Sequence, residues 1–150
     1  MTDWTIHHVN LPAHDVREAA DFYAAIFGMQ EGVFQRPQGR GNFRSDAAAL
    51  AVFPEGDTPN SGLHIVKPVP EFARNNGLHH NPTIGGHVAI SVPDIEAVKR
   101  RLEAAGIMYS DAGQYAMLGY RQIYLYDPSM NLIEVNQRIG YGGSSPGSGP

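Results

Sequence analysis

The chain has 150 residues, of which 42% are hydrophobic, and it carries a formal net charge of -4 at pH 7. This length suits about one domain, and the hydrophobic content can form a core, which excludes a globally disordered chain. The negative charge, with no long lysine or arginine run, argues against nucleic acid or an anionic membrane as a partner. The absence of cysteine excludes disulfides and thiolate zinc sites.

No apolar run approaches the roughly 20 residues of a membrane-spanning helix, and the start of the chain lacks the pattern of a signal peptide. We therefore expect a cytoplasmic protein that binds neither membranes nor nucleic acid. The seven histidines stand out, because neutral imidazole is the commonest metal ligand in proteins.

The first half of the chain predicts a strand, a helix and three further strands. Residues 5–11 have the pattern of a strand, and Asp15 is typical of a helix N-cap, with Glu18 three residues later. Apolar residues then recur at helical spacing as far as Phe27, and Gly28 suits the position that ends a helix. Turn residues separate the three strands that follow, which are predicted near 31–36, 47–53 and 62–67.

The second half repeats this order after a linker rich in Pro, Asn and Gly at 68–85. It predicts a strand at 86–92, a helix at 94–105 and strands near 107–110, 121–127 and 131–137. We therefore predict one domain over residues 1–137, made of two tandem βαβββ modules at about 5–67 and 86–137, and a disordered tail at 138–150. The fold class is α+β, and the expected architecture is an open, cup-shaped mixed sheet with helices on its outer face.

The two modules also match in sequence. His8-Val9 corresponds to His87-Val88 at a spacing of 79 residues. Near the module ends, Leu63-His64-Ile65 corresponds to Ile133-Glu134-Val135. A repeat that places polar, metal-capable side chains at equivalent strand positions indicates one site shared by the two modules.

Alternation along the strands places four of these polar side chains on one face. Their apolar neighbours would face the helices, so the four would point into the cup. A carboxylate buried there needs a partner, and a divalent cation suits one carboxylate together with several imidazoles. The sequence therefore predicts a metal site formed by His8, His64, His87 and Glu134.

The remaining histidines are weaker candidates. A register slip of one residue would exchange His7 for His8, but the repeat selects His8. His14 is expected to be solvated. His79 and His80 fall in the linker and are expected in exposed loops, although a lid over the cup could use them.

Aromatic and basic residues complete the candidates. Tyr124 and Gln122 lie an even number of residues before Glu134, so both would share its face. For three further tyrosines of the second module, packing is the preferred interpretation: Tyr115, Tyr120 and Tyr126. Three arginines would either bind an anionic substrate or lie in a solvated loop, and the loop is preferred: Arg36, Arg40 and Arg44.

Over residues 5–137 the chain resembles the vicinal oxygen chelate superfamily. The resemblance rests on the His-Val at each module start and on three segments: Asp-Phe-Tyr-Ala-Ala-Ile-Phe-Gly-Met at 21–29, Gly-Leu-His-Ile-Val at 62–66 and Tyr-Asp-Pro-Ser-Met-Asn-Leu-Ile-Glu-Val at 126–135. The superfamily includes glyoxalase I, methylmalonyl-CoA epimerase, fosfomycin-resistance thiol transferases, extradiol dioxygenases and bleomycin-binding proteins. These motifs are specific for the superfamily but do not distinguish its members.

The resemblance implies one divalent metal ion (Zn, Ni, Co, Mn or Fe(II)) held at the strands that begin and end each module, which again selects His8, His64, His87 and Glu134. It also implies a homodimer and a small-molecule substrate. Glyoxalase I usually has a carboxylate where this chain has His64. Extradiol dioxygenases resemble this chain in having a histidine near that position and a tyrosine near Tyr124 as acid-base groups, so His64 is either a ligand or a proton carrier.

We therefore expect a glyoxalase-like, divalent-metal-dependent lyase or isomerase, whose small substrate chelates the metal through neighbouring oxygens. The expected catalytic residues are Glu134, His64 and Tyr124, with Glu134 or an unligated His64 moving the proton. The alternative is an extradiol-type Fe(II) ring-cleaving dioxygenase, since two histidines and one carboxylate suit that metal. A thiol transferase and a non-enzymatic small-molecule binding protein are less favoured interpretations.

Overall fold

The computed structural model describes residues 3–38, 46–126, 128 and 130–139, in which strands and helices follow nearly the expected order. The elements are β1 (Thr5–Pro12), α1 (Val16–Phe27), β2 (Leu50–Phe53), β3 (Gly62–Val66), α2 (Phe72–Asn75), β4 (His87–Ser91), α3 (Ile95–Ala104), β5 (Tyr109–Gly113), β6 (Tyr120–Tyr126) and β7 (Leu132–Arg138).

Both long helices begin at the aspartates that the sequence indicates. The Asp15 carboxylate accepts the backbone N–H groups of Arg17 and Glu18, at 2.9 and 3.0 Å. Asp94 caps α3 by accepting the backbone N–H of Ala97 at 3.0 Å. Gly28 ends α1 with a φ of 66°, a left-handed conformation that glycine adopts without steric penalty.

Each helix packs on the strands of its own module. The cluster beneath α1 consists of Val16, Ala20, Ala51, Phe53 and Ile65. The cluster beneath α3 consists of Ile95, Leu102, Ile123 and Val135. The apolar stripe of α1 is shorter than its sequence pattern suggests, since Ile26 and Phe27 are 63% and 61% exposed.

The strand order in the sheet is β2-β3-β1-β4-β7-β6-β5. β1 is parallel to β3, and β4 is parallel to β7, whereas β1 and β4 are antiparallel at the middle of the sheet. Val9 and Val88, which correspond in the sequence repeat, are partners in this central pair. The structure therefore confirms an α+β fold in which two related modules share one open mixed sheet.

Within its described residues, the first module has one strand fewer than predicted. Residues 31–36 form no strand, although Gly32 donates a backbone hydrogen bond to Val52 at 2.8 Å. β2 begins only at Leu50, because a turn held by Asp46 occupies the alanines before it, consistent with the low strand propensity of alanine. The predicted linker contains the short helix α2, which the sequence pattern did not indicate.

β7 extends to Arg138, one residue into the predicted tail, and residues 140–150 of that tail lie outside the described residues. No helix in the described part of the chain is long and apolar enough to cross a membrane.

Candidate metal centre

Three adjacent strands bring two histidines and a glutamate together on the sheet face opposite the helices. β1 pairs with β4 so that His8 is beside Ala89, and β4 pairs with β7 so that Ala89 is beside Glu134. His87 lies two residues before Ala89, on the same face of β4. The short, fully buried side chain of Ala89 leaves the space in which the three longer side chains converge.

His8, His87 and Glu134, named here the triad, are all buried. The Nε2 atoms of the two histidines lie 3.3 Å apart, and they lie 3.5 and 3.3 Å from Oε2 of Glu134. Two atoms that each bind one ion at about 2.1 Å lie roughly 3.0–3.4 Å apart at octahedral to tetrahedral angles. The spacing and chemistry of the triad therefore fit one divalent metal ion.

The tautomer of His87 is fixed by a backbone carbonyl. Its Nδ1 lies 3.0 Å from the carbonyl oxygen of Pro82. Because a carbonyl only accepts, Nδ1 carries the proton, and a neutral ring then has a bare Nε2 directed into the triad. Hydrogen bonds of this kind hold a metal-binding histidine in its ligating tautomer.

Glu134 has one oxygen bound by amides and the other free for a ligand. Its Oε1 accepts from Nε2 of Gln122 at 3.1 Å and from Nδ2 of Asn136 at 3.0 Å. The amide oxygen of Gln122 accepts the backbone N–H groups of residues 116 and 117, and that of Asn136 accepts the Ser91 hydroxyl. These contacts direct both amide NH₂ groups at Oε1 and leave Oε2 facing the histidines.

The environment keeps Glu134 ionised. Burial raises the pKa of this carboxyl group, but the adjacent His8 and His87 outweigh burial and hold the pKa well below its ordinary value. The two amide donors also favour the charged form. Glu134 is therefore a good metal ligand and a weak proton acceptor.

His64 lies beside the triad, and its ring nitrogens are not part of the converged group. Its ring stacks on that of His8, with centroids 4.0 Å apart and planes 13° apart. Its Nε2 lies 2.7 Å from the carbonyl oxygen of Asn60, so Nε2 carries a proton. Burial, and then His8, lower the pKa of His64 well below its ordinary value, so the ring is neutral at pH 7 and Nδ1 is bare.

Asn60 holds His64 in this orientation, a role that no sequence pattern indicated. Asn60 is buried with a φ of 61°, and its side chain exchanges two hydrogen bonds with the backbone of Gln35, at 2.8 and 2.6 Å. The Pro-Asn-Ser-Gly segment at 59–62 is typical of a turn in which asparagine adopts this conformation. Nothing in the segment indicates its contact with His64.

Tyr124 shares the face of Glu134, as the even spacing predicts. Its hydroxyl accepts a hydrogen bond from Nε2 of Gln122 at 3.1 Å. Burial, and then the charge of Glu134, raise the pKa of Tyr124 well above its ordinary value. The hydroxyl therefore keeps its proton and can donate it to a hydrogen bond.

A small cavity adjoins these groups. The space open to a water-sized molecule is about 30 Å³, which exceeds what one water needs. Beside His64, Tyr124 and the triad, its lining is mostly apolar and, within the described residues, includes no lysine or arginine: Asn10, Phe34, Leu50, Val66, Phe72, Pro82, Thr83, Ala116, Met117 and Gln122. Two residues of this site were not predicted from the sequence. Phe72 lies in the predicted linker, where no pattern indicated it. Asn136 lies two residues after Glu134, so alternation along the strand could have placed it on the same face.

Two histidines differ from expectation. His80 is buried rather than exposed, and its Nδ1 lies 2.6 Å from the hydroxyl of Ser110. His7 is buried together with His8, because a bulge interrupts the pairing of β1 with β4 between Ile6 and His8. The sequence argument allowed only one of these neighbours to face inward, since it assumed a regular strand.

The other candidates lie outside the triad. His14, His79 and Arg36 are exposed, whereas Arg40 and Arg44 fall outside the described residues. Tyr115 packs near Phe72, Tyr120 near His7 and Tyr126 near His80.

The metal-free protein is expected to lose stability as the pH falls below about 6.5. Burial, and then His8, lower the pKa of His7 to about 4. The unfolded chain binds a proton at the ordinary pKa of 6.5, so between these values it holds more protons than the folded state, and the free energy of unfolding falls. At about 1.4 kcal/mol per pKa unit, His7 alone contributes a loss of about 3 kcal/mol.

Urea unfolding of the metal-free protein, followed by circular dichroism from about pH 7.5 to about pH 4, measures this loss. His7→Phe should reduce the pH dependence, and His14→Phe, at an exposed position, should leave it unchanged. A free energy of unfolding that stays constant over this range in the unsubstituted protein would contradict the prediction.

Comparisons with solved structures identify proteins of the same fold. A variant of Streptomyces coelicolor methylmalonyl-CoA epimerase, in complex with 2-nitronate-propionyl-CoA, is 19% identical, with a TM-score of 0.63, and the match covers 93% of this chain and 97% of that chain. The methylmalonyl-CoA epimerase from Mycobacterium tuberculosis is 18% identical, with a TM-score of 0.56 and coverage of 90% and 88%. A hypothetical protein from Bacillus halodurans is 14% identical, with a TM-score of 0.59 and coverage of 95% and 99%.

At these identities the structural matches show the fold alone. No curated protein matches the sequence significantly. The model of the Glyoxalase/Bleomycin resistance protein/Dioxygenase superfamily, however, matches residues 5–135, which is most of the chain. The chain therefore belongs to the glyoxalase/bleomycin resistance protein/dioxygenase superfamily.

Proposed function

We propose that this chain is a divalent-metal-dependent isomerase or lyase, which acts on a small substrate that chelates the metal through two neighbouring oxygen atoms. The observation that carries the proposal is the arrangement of Glu134. One of its oxygens is occupied by two amide donors, and the other faces the Nε2 atoms of His8 and His87. This arrangement supports a role for Oε2 of Glu134 as a metal ligand together with the two histidine nitrogens.

Three protein ligands leave coordination positions open for a substrate. When bound, a divalent metal would polarise the substrate oxygens and stabilise the negative charge that forms when a neighbouring proton is removed. The apolar side chains of Phe34, Phe72 and Met117 line the cavity, and such a lining would strengthen electrostatic effects there by displacing water when a substrate binds.

His64 is the group we assign to proton transfer. Its Nε2 is held by the Asn60 carbonyl, so the bare Nδ1 is the atom that can accept a substrate proton. Tyr124, which lines the same cavity and keeps its proton, can donate a hydrogen bond to a substrate oxygen that gains negative charge. Glu134 suits this transfer less well, because both of its oxygens are engaged: Oε1 accepts two amide hydrogen bonds, and Oε2 faces the histidine nitrogens where the metal would bind.

Two substrate classes are the first to test. The epimerases of similar fold are named for methylmalonyl-CoA, so acyl-CoA thioesters that carry a carboxylate on an acidic α-carbon, and thus offer two oxygens to the metal, form one class. Adducts of α-ketoaldehydes with thiols form the other, since they have oxygens on two adjacent carbons and an acidic proton on the carbon that bears the hydroxyl group. In both classes proton removal is the step that the metal and His64 would share.

The test combines metal analysis with proton exchange. Protein purified without a tag and under anaerobic conditions is analysed for metal, and each substrate class is then incubated in D₂O and followed by ¹H NMR. Zinc, nickel, cobalt or manganese near one per chain, with enzyme-dependent loss of the α-proton signal, is the expected result. No metal after purification, and none taken up on titration, would refute the mechanism and leave the fold unchanged.

An extradiol-type Fe(II) dioxygenase is the second candidate. The observation that favours it is that two histidines and one carboxylate converge while His64 and Tyr124 remain next to them without being part of the triad. Iron near one per chain, together with oxygen consumption in the presence of catechols, would select this activity over the first.

Homodimer formation is a further prediction. The C-terminal half of α1 exposes a group of apolar side chains, in which Phe22, Ile26 and Phe27 are 53%, 63% and 61% exposed. Exposed apolar clusters of this kind are typical of protein interfaces. Sedimentation should show a dimer that Ile26→Glu shifts toward monomer, whereas Arg36→Glu, at an exposed position elsewhere, should not; a monomeric unsubstituted protein would contradict the prediction.

A further inference from the structure

The histidine pair at the start of β1 is unusual because both rings are buried. His7 is the extra residue of the bulge between Ile6 and His8, and it is 7% exposed, whereas His8 is 2% exposed. A bulge is a common means of redirecting a side chain next to a functional site. Here it places a second imidazole behind the first, on the side away from the triad.

The contact between the two rings determines where protons can lie. Nδ1 of His7 lies 2.9 Å from Nδ1 of His8, so one of these atoms donates a proton to the other. The Nε2 atom of His8 faces the triad. A metal can bind this Nε2 only if it is bare, and a neutral His8 then carries its proton on Nδ1.

We propose that His7 is a positioning residue of the metal centre: its Nδ1 accepts the proton of His8 Nδ1 and so holds His8 in the ligating tautomer. The inference rests on the proposed metal site. It assigns to an imidazole the position that a carboxylate or a backbone carbonyl usually occupies behind a metal-binding histidine. The second triad histidine has the usual arrangement, because His87 donates to the carbonyl of Pro82.

The other nitrogen of His7 agrees with this assignment. If Nδ1 accepts, the proton of the neutral ring must lie on Nε2, and this atom is buried without a hydrogen-bond partner in the described part of the chain. The His7 ring lies against the ring of Tyr120, with centroids 4.7 Å apart and planes 67° apart. Leaving one buried polar atom without a partner is costly, and such an atom in a native site calls for a functional explanation. The tautomer of His8 provides one.

The test compares metal affinity in two variants of His7. His7→Phe keeps an aromatic ring and removes the acceptor, whereas His7→Asn places an amide oxygen close to the position of Nδ1. Zinc affinity, measured by competition with a chromophoric chelator, is expected to fall about 10–100-fold in His7→Phe and to recover largely in His7→Asn. His79→Phe, at an exposed position, is the matched control and should bind zinc as the unsubstituted protein does.

A spectroscopic measurement on the unsubstituted protein avoids any folding defect of the variants. In zinc-loaded protein with ¹⁵N-labelled histidine, a coupling across the hydrogen bond should connect Nδ1 of His8 to Nδ1 of His7, and His7 should be protonated at Nε2. His7 protonated at Nδ1, or zinc affinity unchanged in folded His7→Phe, would overturn the inference while the metal centre stands. Failure of the unsubstituted protein to bind metal would instead overturn the proposed function, and this inference with it.

Discussion

Replacing either His87 or Glu134 by alanine is expected to remove the bound metal. Each substitution deletes one of the three converging atoms that we propose as ligands, so affinity should fall by more than the roughly 10–100-fold typical of residues that only support a ligand. Elemental analysis of purified protein and zinc titration against a chromophoric chelator measure the loss. His79→Ala is the control, because His79 is exposed and its side chain lies outside the site.

The Glu134 variant also tests the role of the surrounding amides. Without the carboxylate, the NH₂ groups of Gln122 and Asn136 lose a charged acceptor in a buried environment, which costs about 1–3 kcal/mol for an unsatisfied group. Far-UV circular dichroism at low temperature should therefore accompany the metal measurement, to show that the variant is folded. Metal at the stoichiometry of the unsubstituted protein, in either triad variant, would refute the assignment of the ligands.

Replacing His64 by phenylalanine is expected to separate catalysis from metal binding. Phenylalanine can maintain the stacking on the His8 ring but has no nitrogen to accept a proton. Metal affinity should stay within a few-fold of the original, while the rate of α-proton exchange in D₂O should fall by about 10²–10⁴-fold, the usual contribution of a general base.

The opposite outcome is equally informative. If His64→Phe loses metal as fully as the triad variants, His64 is a fourth ligand, as the family resemblance implies, and another group must move the proton. Asn60→Gly, which removes the side chain that fixes the turn but keeps the carbonyl, serves as the comparison. It should lower the exchange rate less than His64→Phe, because the acceptor nitrogen remains.

Much of the fold follows from the sequence, because the repeat and the capping aspartates fix the order of the elements. The positions of His8, His87 and Glu134 on one face follow from the alternation of apolar and polar residues along each strand. Alternation has this consequence whichever strands pair. The missing strand at 31–36 did not follow, since a segment becomes a strand only if a neighbouring edge accepts its hydrogen bonds, and one bond from Gly32 is insufficient.

The site was less predictable where it depends on irregular backbone. The burial of His7 depends on a bulge, and the orientation of His64 depends on the backbone carbonyl of a turn residue, Asn60, whose contact with His64 no sequence pattern indicates. Alternation placed His64 on the correct face, but the direction of its Nε2 is set by the backbone carbonyl of Asn60. Because every residue has a backbone carbonyl, no residue type indicates such a contact. Sequence patterns therefore located the candidate ligands better than the contacts that decide their chemical roles.

The antiparallel pairing of β1 with β4 has a consequence for the history of the chain. Each module contributes one half of the site: His8 and His64 from the first, His87 and Glu134 from the second. Because the modules are related by an approximate rotation about the central strand pair, two separate copies of a single module could pair in the same way and enclose an equivalent set of side chains. The architecture is thus what duplication and fusion of a symmetric ancestor would produce. Later divergence would then have left two histidines in the first module and one histidine and one glutamate in the second.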